Sequence, residues 1–309
     1  MIYPLVLSFR LWYNISVIKK GGDTVYFLLL LLPLLATTKV LLQARLSRTE
    51  VVTMSDAFRL NGWIFLFSGL VLAALFFRTL PPLPVIFIAA GLAAFTLLFQ
   101  SCYVQAFRKG PVSLTTTVNN FSILIPLFAG VAFFDDALSP LNIIGIPLLF
   151  VAFVLIPMRE GKEERGFSWK WLLLGISASV FSGTVSTLLL WISRTEFEAY
   201  KSEILVINFL LSSAFAFLLS LRREKESIFR ATKKSVGISL LIGIVLGLFN
   251  LLSVYAVREI SATIYYPVTT VLAILFAVIA DFVFFKQRLG KKALIGFCFA
   301  LVSILLFSL

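Results

Sequence analysis

The sequence predicts an all-α integral membrane protein with ten transmembrane helices arranged as two inverted five-helix repeats. Hydrophobic residues make up 60% of the 309 residues and charged residues only 14%, whereas soluble domains carry about 25% charged residues. The mean hydropathy of +1.01 requires lipid around most of the surface. Apolar stretches of spanning length alternate with short charged connections, and the Lys and Arg content of these connections differs between the two sides.

The net charge of +12 comes from 27 Lys and Arg against 15 Asp and Glu. Nucleic-acid-binding proteins cluster such residues on a solvated face, but here they fall in short runs between apolar stretches. We therefore expect membrane lipid as a partner and no nucleic acid. Ten spans of about 20 residues occupy roughly 200 residues, which leaves little for a soluble domain.

The first repeat, residues 26–158, contains five spans bounded by charges and by Pro or Gly turns. The first span begins with a run of leucines, the fourth ends at Asp135 and Asp136, and a charged connector at 159–168 follows the fifth. The predicted spans are 26–46, 56–77, 83–107, 112–134 and 140–157.

The second repeat, residues 169–309, contains five further spans. The basic stretch from Arg222 to Lys234 separates its second and third spans, and we expect this solvated loop to attract anionic lipid. The predicted spans are 169–193, 199–221, 235–257, 262–285 and 289–309.

Residues 1–24 do not fit this scheme. The segment 1–18 is interrupted by Arg10 and Asn14 and lacks the basic start, apolar core and cleavage site of a secretory signal. Residues 20–23 can be encoded by a sequence complementary to the tail of bacterial small-subunit ribosomal RNA, and Val25 can be a GTG start. We expect an N-terminal extension with the true start at Val25; an amphipathic helix lying on the membrane is the alternative.

The orientation follows from the Lys and Arg content of the loops. The loops after the odd-numbered spans, together with the span ends beside them, hold 19 of these residues, and the corresponding regions after the even-numbered spans hold 4, namely Arg78, Arg194, Lys201 and Arg258. By the positive-inside rule the basic loops are cytoplasmic, which places Val25 and Leu309 outside.

Neither a metal site nor a cofactor is expected. Cys102 and Cys298 lie in apolar stretches without a motif, and the chain has no His, which is the commonest metal ligand and proton shuttle. An intramembrane enzyme needs a nucleophile with a base, or a metal set. We therefore do not expect an enzyme.

The two halves carry traces of an internal repeat. Residues 133–138 (FFDDAL) align with 284–289 (FFKQRL), and without a gap Ile144-Gly145 meets Ile295-Gly296. Because each half has an odd number of spans, equivalent loops lie on opposite sides of the membrane, as in inverted-topology repeats.

This pattern resembles the repeat signature of EamA-type proteins in the drug/metabolite transporter superfamily. The signature residues are Asp136, Leu138, Asn142 and Gly145 in the first half, and Gln287, Leu289, Ala293 and Gly296 in the second. The family's usual Glu is thus Asp136 in one half and Gln287 in the other. The resemblance implies a ten-helix transporter with helices 1, 3, 4, 6, 8 and 9 around a central substrate cavity, working by alternating access. Family members are commonly drawn with cytoplasmic termini, opposite to the orientation predicted above.

Two charged residues within the spans are candidates for function. Lys39 lies about 9 Å before Arg45 along the first span. Either its stem reaches the membrane surface, or it faces the cavity and favours anionic or zwitterionic substrates. Asp281 is a carboxylate within the ninth span, and it is a candidate for proton coupling or for a structural pair with Lys286 or Lys39.

The remaining candidates for substrate binding are uncharged polar or aromatic residues at membrane depth, for which interhelical hydrogen bonding is the alternative role. They are Gln100 and Tyr103 on the third span, Asn119 and Asn120 on the fourth, Asn250 and Tyr255 on the eighth, and Tyr265, Tyr266 and Thr269 on the ninth. For Asp135 and Asp136 we expect helix capping or a topology role rather than catalysis. For small residues of the sixth span such as Gly183 we expect close helix packing.

The features together predict a secondary-active transporter of a small organic metabolite, an amino acid or another zwitterionic or anionic solute, in the bacterial cytoplasmic (inner) membrane. One alternative is a quaternary-ammonium or drug exporter with Tyr265, Tyr266 and Trp191 as an aromatic cage, which Lys39 argues against. Another is a lipid-handling flippase.

Overall fold

The computed structural model describes residues 23–51, 53–109, 112–155, 168–223, 233–285 and 291–308. Within these ranges the chain forms helices joined by short turns, with no strand. The predicted extension up to residue 22, most of the connector 159–168 and Gln287 lie outside the described residues, as does the side chain of Asp281.

Ten helices, α1 to α10, cover the described residues. The first half contains α1 (Asp23–Glu50), α2 (Met54–Phe76), α3 (Leu83–Lys109), α4, which runs unbroken through Val112–Asn120, a 3₁₀ turn at Phe121–Ile123 and Leu124–Phe133, and α5 (Pro140–Leu155). The second half contains α6 (Trp169–Arg194), a 3₁₀ turn at Glu196–Tyr200, α7 (Lys201–Arg223), α8 (Lys233–Glu259), α9 (Ala262–Phe285) and α10 (Lys291–Ser308). Each predicted span coincides with one helix to within a few residues at each end.

Within the described part of the chain, α1, α2, α3, α6, α7 and α8 are long and apolar enough to cross a membrane by length and composition. The apolar parts of α4, α5, α9 and α10 are shorter, at 10–17 residues. A 16-residue helix covers about 24 Å, against a hydrocarbon core of about 30 Å. The chain is therefore a multi-pass membrane protein, while a full count of ten spans stays a prediction.

The packing of the helices repeats between the two halves. Equivalent helices pack in the pairs α2–α7, α4–α9 and α5–α10. Other contacts occur twice, once with the roles of the two halves exchanged. The contact α3–α6 has the counterpart α8–α1, α2–α8 has the counterpart α7–α3, and α1–α9 has the counterpart α6–α4. Exchange of the two halves thus converts each of these pairs either into itself or into another pair of the set, as expected for two related repeats.

Six helices form the centre of this arrangement. α1 and α6 each pack against both α3 and α8, while α9 packs against α1 and α4 against α6. The contact between α4 and α9 closes the arrangement on that side. These are the six helices that the resemblance assigns to the substrate cavity.

Small residues allow α6 to approach α4 closely, as expected from the sequence. At Gly183 an added Cβ would lie 2.7 Å from the carbonyl oxygen of Ser122 and 2.5 Å from Cδ1 of Ile125. The contact lies on the 3₁₀ turn in the middle of α4. Close backbone approach through small residues is typical of membrane helix pairs, so this prediction for Gly183 is confirmed.

Candidate functional site

The most informative charged residue of the central helices is Lys39 on α1. Its side chain is half-buried, and it forms no ion pair or hydrogen bond within the described part of the chain. A cation at membrane depth is costly unless it meets water, a counter-charge or a ligand. The predicted pairing with Asp281 stays a prediction, since the Asp281 side chain lies outside the described residues.

A buried amide pair lies one helical turn further along α1. Gln43 donates from Nε2 to Oε1 of Gln100 on α3 at 2.7 Å, and both side chains are at most 3% exposed. The other polar atom of the Gln43 amide, Oε1, has no partner in the described chain. Sequence reasoning singled out Gln100 and missed Gln43, although its i, i+4 spacing from Lys39 places both on one helix face.

Tyr103 lies where α1, α3 and α6 meet. Its ring is 4.2 Å from that of Phe107 between centroids, and the two pack with Ala178 of α6 and Val40 of α1. Tyr103 is therefore buried in a mainly apolar setting, against Val40, the residue that follows Lys39 in α1.

The aromatic residues of α9 form a packed pair. The rings of Tyr265 and Tyr266 meet edge to face with centroids 4.9 Å apart, and Tyr266 donates from its hydroxyl to the carbonyl oxygen of Ser186 on α6 at 2.8 Å. Trp191 packs against Phe197 at 4.9 Å and makes no ring contact with the tyrosines in the described residues. The structure therefore does not assemble the three rings into a cage.

The candidates on α8 and α9 make mainly local contacts. Asn250 donates to the carbonyl oxygen of Leu246 at 2.9 Å, and Thr269 donates to that of Tyr265 at 2.6 Å. The ring of Tyr255 lies 3.9 Å from Nζ of Lys201, a cation–π contact. These contacts partly satisfy the three side chains without a ligand.

Asn119 and Asn120 end the first part of α4, directly before its 3₁₀ turn. Both are half-buried, and the Oδ1 atom of Asn119 is buried without a partner in the described chain. A 3₁₀ stretch inside a helix changes the backbone hydrogen-bond pattern and often marks a functional position. Asn119 therefore offers a free acceptor on one of the six central helices.

The neighbouring carboxylates at the end of α4 do not act as a pair. Asp135 is exposed, whereas Oδ2 of Asp136 accepts a 2.8 Å hydrogen bond from the backbone nitrogen of Ala262, the first residue of α9. This carboxylate satisfies one of the free N–H groups at a helix start. The expected capping role is confirmed for Asp136.

Comparisons with known proteins agree with this architecture. The sequence model of the EamA-like transporter family matches residues 23–158 and 169–309. No curated protein matches the chain. One matching solved structure, described only as a crystal structure of a protein, has 19% sequence identity and a TM-score of 0.64 over 90% of this chain and 98% of its own.

The two family matches together cover most of the sequence and correspond to the two sets of helices that pack in the same pattern. The chain therefore belongs to the EamA-like transporter family of the drug/metabolite transporter superfamily.

Proposed function

We propose that the chain is a secondary-active transporter of a small zwitterionic or anionic metabolite, and that it works by alternating access with ten spanning helices in two inverted repeats. The observation that carries the proposal is Lys39, a half-buried cation without a partner in the described chain, one turn from the buried Gln43–Gln100 pair. A small-molecule substrate supplies the missing counter-charge.

The arrangement favours a zwitterion over a simple anion. Side chains at i and i+4 lie about 6 Å apart at Cβ, so an ammonium group at Lys39 and an acceptor at Gln43 can meet the two ends of one small molecule. Oε1 of Gln43 is the free acceptor. A substrate carboxylate pairs with Lys39, while a substrate ammonium or hydroxyl group donates to Gln43.

A quaternary-ammonium substrate fits less well. Lys39 repels a cation, and the faces of Tyr265 and Tyr266 are engaged with each other rather than arranged around a free space. Trp191 packs on Phe197 instead.

We further propose that Asp281 couples transport to the proton gradient and that the protein lies in the bacterial cytoplasmic membrane. Asp281 is a carboxylate within the predicted span 262–285, and intramembrane carboxylates are typical proton carriers in transporters. The excess of Lys and Arg after the odd-numbered spans supports cytoplasmic placement of those loops.

A thermal-shift screen of the purified protein tests the substrate class, because a ligand that binds the folded state raises its melting temperature. The panel contains amino acids, organic anions, sugars, nucleosides and quaternary amines. We expect a zwitterion or anion to stabilise the wild type and Lys39→Arg, but not Lys39→Met. The exposed Lys292 on α10 provides the control Lys292→Met, which should respond as the wild type does. Stabilisation by a quaternary amine alone, or an undiminished response of Lys39→Met, would overturn the proposal.

A further inference from the structure

Four helix ends meet at Arg194, the last residue of α6. Its Nη1 atom forms an ion pair with Oδ1 of Asp136 at 2.9 Å, just beyond α4. Its Nη2 atom donates to the carbonyl oxygen of Ile260 at 3.1 Å, and Nε donates to that of Val257 at 3.3 Å, near the end of α8. One guanidinium thus connects the ends of α4, α6 and α8.

Asp136 adds the beginning of α9 to this network. While Oδ1 binds Arg194, Oδ2 accepts the backbone N–H of Ala262. Beside it, Thr263 donates from its hydroxyl to the carbonyl oxygen of Ala137 at 3.2 Å. The Asp136 side chain is only 8% exposed, so its hydrogen bonds to charged and backbone donors are shielded from water and are stronger for that reason.

The local backbone is shaped to place this carboxylate. Asp135 adopts a φ of +54°, which is uncommon outside glycine, asparagine and aspartate. The backbone nitrogen of Asp136 donates to the carbonyl oxygen of Gly130. A Cβ added at Gly130 would lie 2.5 Å from Oδ2 of Asp136 and 2.6 Å from Cβ of Ala262, so only glycine leaves space for the network.

The network joins the two repeats. Asp136 belongs to the first half, whereas Arg194, Val257, Ile260 and Ala262 belong to the second. In transporters built from two repeats, alternating access moves one set of helices against the other. Separation of the halves at this end breaks the ion pair and uncaps α9 together.

The second half has no carboxylate at the position that aligns with Asp136. The internal repeat aligns Asp136 with Gln287, and in an inverted repeat equivalent turns lie on opposite sides of the membrane. A neutral amide cannot form an ion pair with a guanidinium. The second half therefore does not repeat this charged contact through residue 287.

We propose that Asp136 and Arg194 form a one-sided gate lock, which holds the transport path closed at the ends of α4, α6 and α8 and biases the resting protein to open toward the opposite, basic end. The lock rests on the alternating-access function proposed above but not on the identity of the substrate.

Accessibility of a half-buried reporter cysteine tests the lock without any substrate. Ser186 lies on α6, about 12 Å before Arg194 along the helix axis, and is half-buried. We place Ser186→Cys in a background in which Cys102 and Cys298 are replaced by alanine. A membrane-impermeant thiol reagent is added to reconstituted vesicles from either side, and the labelling rate is measured.

In the otherwise unchanged background we expect slow labelling from the Arg194 end. Asp136→Asn should raise this rate at least tenfold, and Gly130→Ala should raise it without a change of charge, because its methyl group would lie only 2.5 Å from Oδ2 of Asp136 and would displace the carboxylate. Asp135→Asn is the matched control and should leave the rate unchanged, because Asp135 is exposed and asparagine tolerates its positive φ.

Thermal unfolding confirms that each variant is folded. The lock is overturned if the Ser186→Cys protein without further substitutions already labels rapidly from the Arg194 end. It is also overturned if neither Asp136→Asn nor Gly130→Ala, both folded, labels faster than the Asp135→Asn control. Either result leaves the substrate screen at Lys39 unaffected, so failure of the lock is distinguishable from failure of the proposed function.

Discussion

Gln43 on α1 and Gln100 on α3 form a 2.7 Å hydrogen bond between their side-chain amides, and both are almost fully buried. The bond fixes the amide of Gln43 so that its Oε1 atom is left as a free acceptor. It thereby connects the packing of two central helices with the helix face that carries Lys39.

A double-mutant cycle with Gln43→Met and Gln100→Met tests this coupling. Each single variant leaves one buried amide without its partner, whereas the double variant removes both polar groups. We expect a coupling free energy of about 0.6 kcal/mol, the average for interhelical hydrogen bonds in membranes, and no more than about 1.7 kcal/mol, measured by reversible unfolding in detergent. Additive effects of the two substitutions would show that the bond contributes nothing to stability.

Lys39→Met is expected to raise the melting temperature of the ligand-free protein while it abolishes transport. The substitution removes a half-buried charge that has no counter-charge in the described chain, and methionine retains much of the apolar stem. Residues required for function commonly lower the stability of the folded protein in this way. Lys292→Met, at an exposed position on α10, should change neither property. A lower melting temperature for Lys39→Met would indicate that the lysine stabilises the fold.

Gly183→Ala should destabilise the packing of α6 on α4. Its Cβ would approach the Ser122 carbonyl oxygen and Ile125 to within 2.7 Å, and such overpacking costs about 1 to 3 kcal/mol. The control is Gly91→Ala on α3, where nothing lies within 4 Å of the added methyl group. Because alanine favours a helix over glycine by about 0.5 to 1 kcal/mol, Gly91→Ala should be neutral or stabilising. Equal effects of the two changes on unfolding would contradict the close contact.

The helix positions could be predicted from the sequence because a span is a local property of hydropathy, charge and turn residues. The partners of polar residues could not, because helix packing brings together distant parts of the chain. Gln100 was identified without Gln43, its partner 57 residues away. Asp136 was identified as a capping residue, but its ion pair with Arg194 joins residues 58 positions apart and leaves no local signal in the sequence.

Asp281→Asn tests the proposed proton coupling, once the substrate screen has supplied a transported ligand. The asparagine retains the size of the side chain but cannot take up a proton near neutral pH. We therefore expect uptake driven by a pH gradient to fall at least tenfold, while exchange of substrate across the membrane without a gradient continues. A loss of gradient-driven uptake with exchange retained identifies a coupling group, because loss of substrate binding would abolish both activities.

The matched control is Asp135→Asn, which removes an exposed carboxylate outside the spans and should leave both activities intact. Uptake by proteoliposomes is measured with and without an imposed pH gradient at equal substrate concentration. If Asp281→Asn transports with an unchanged dependence on the gradient, the proton is carried elsewhere and Asp281 has a structural role. If uptake and exchange are lost together in a folded protein, the carboxylate acts in binding or packing, and the coupling proposal is likewise wrong.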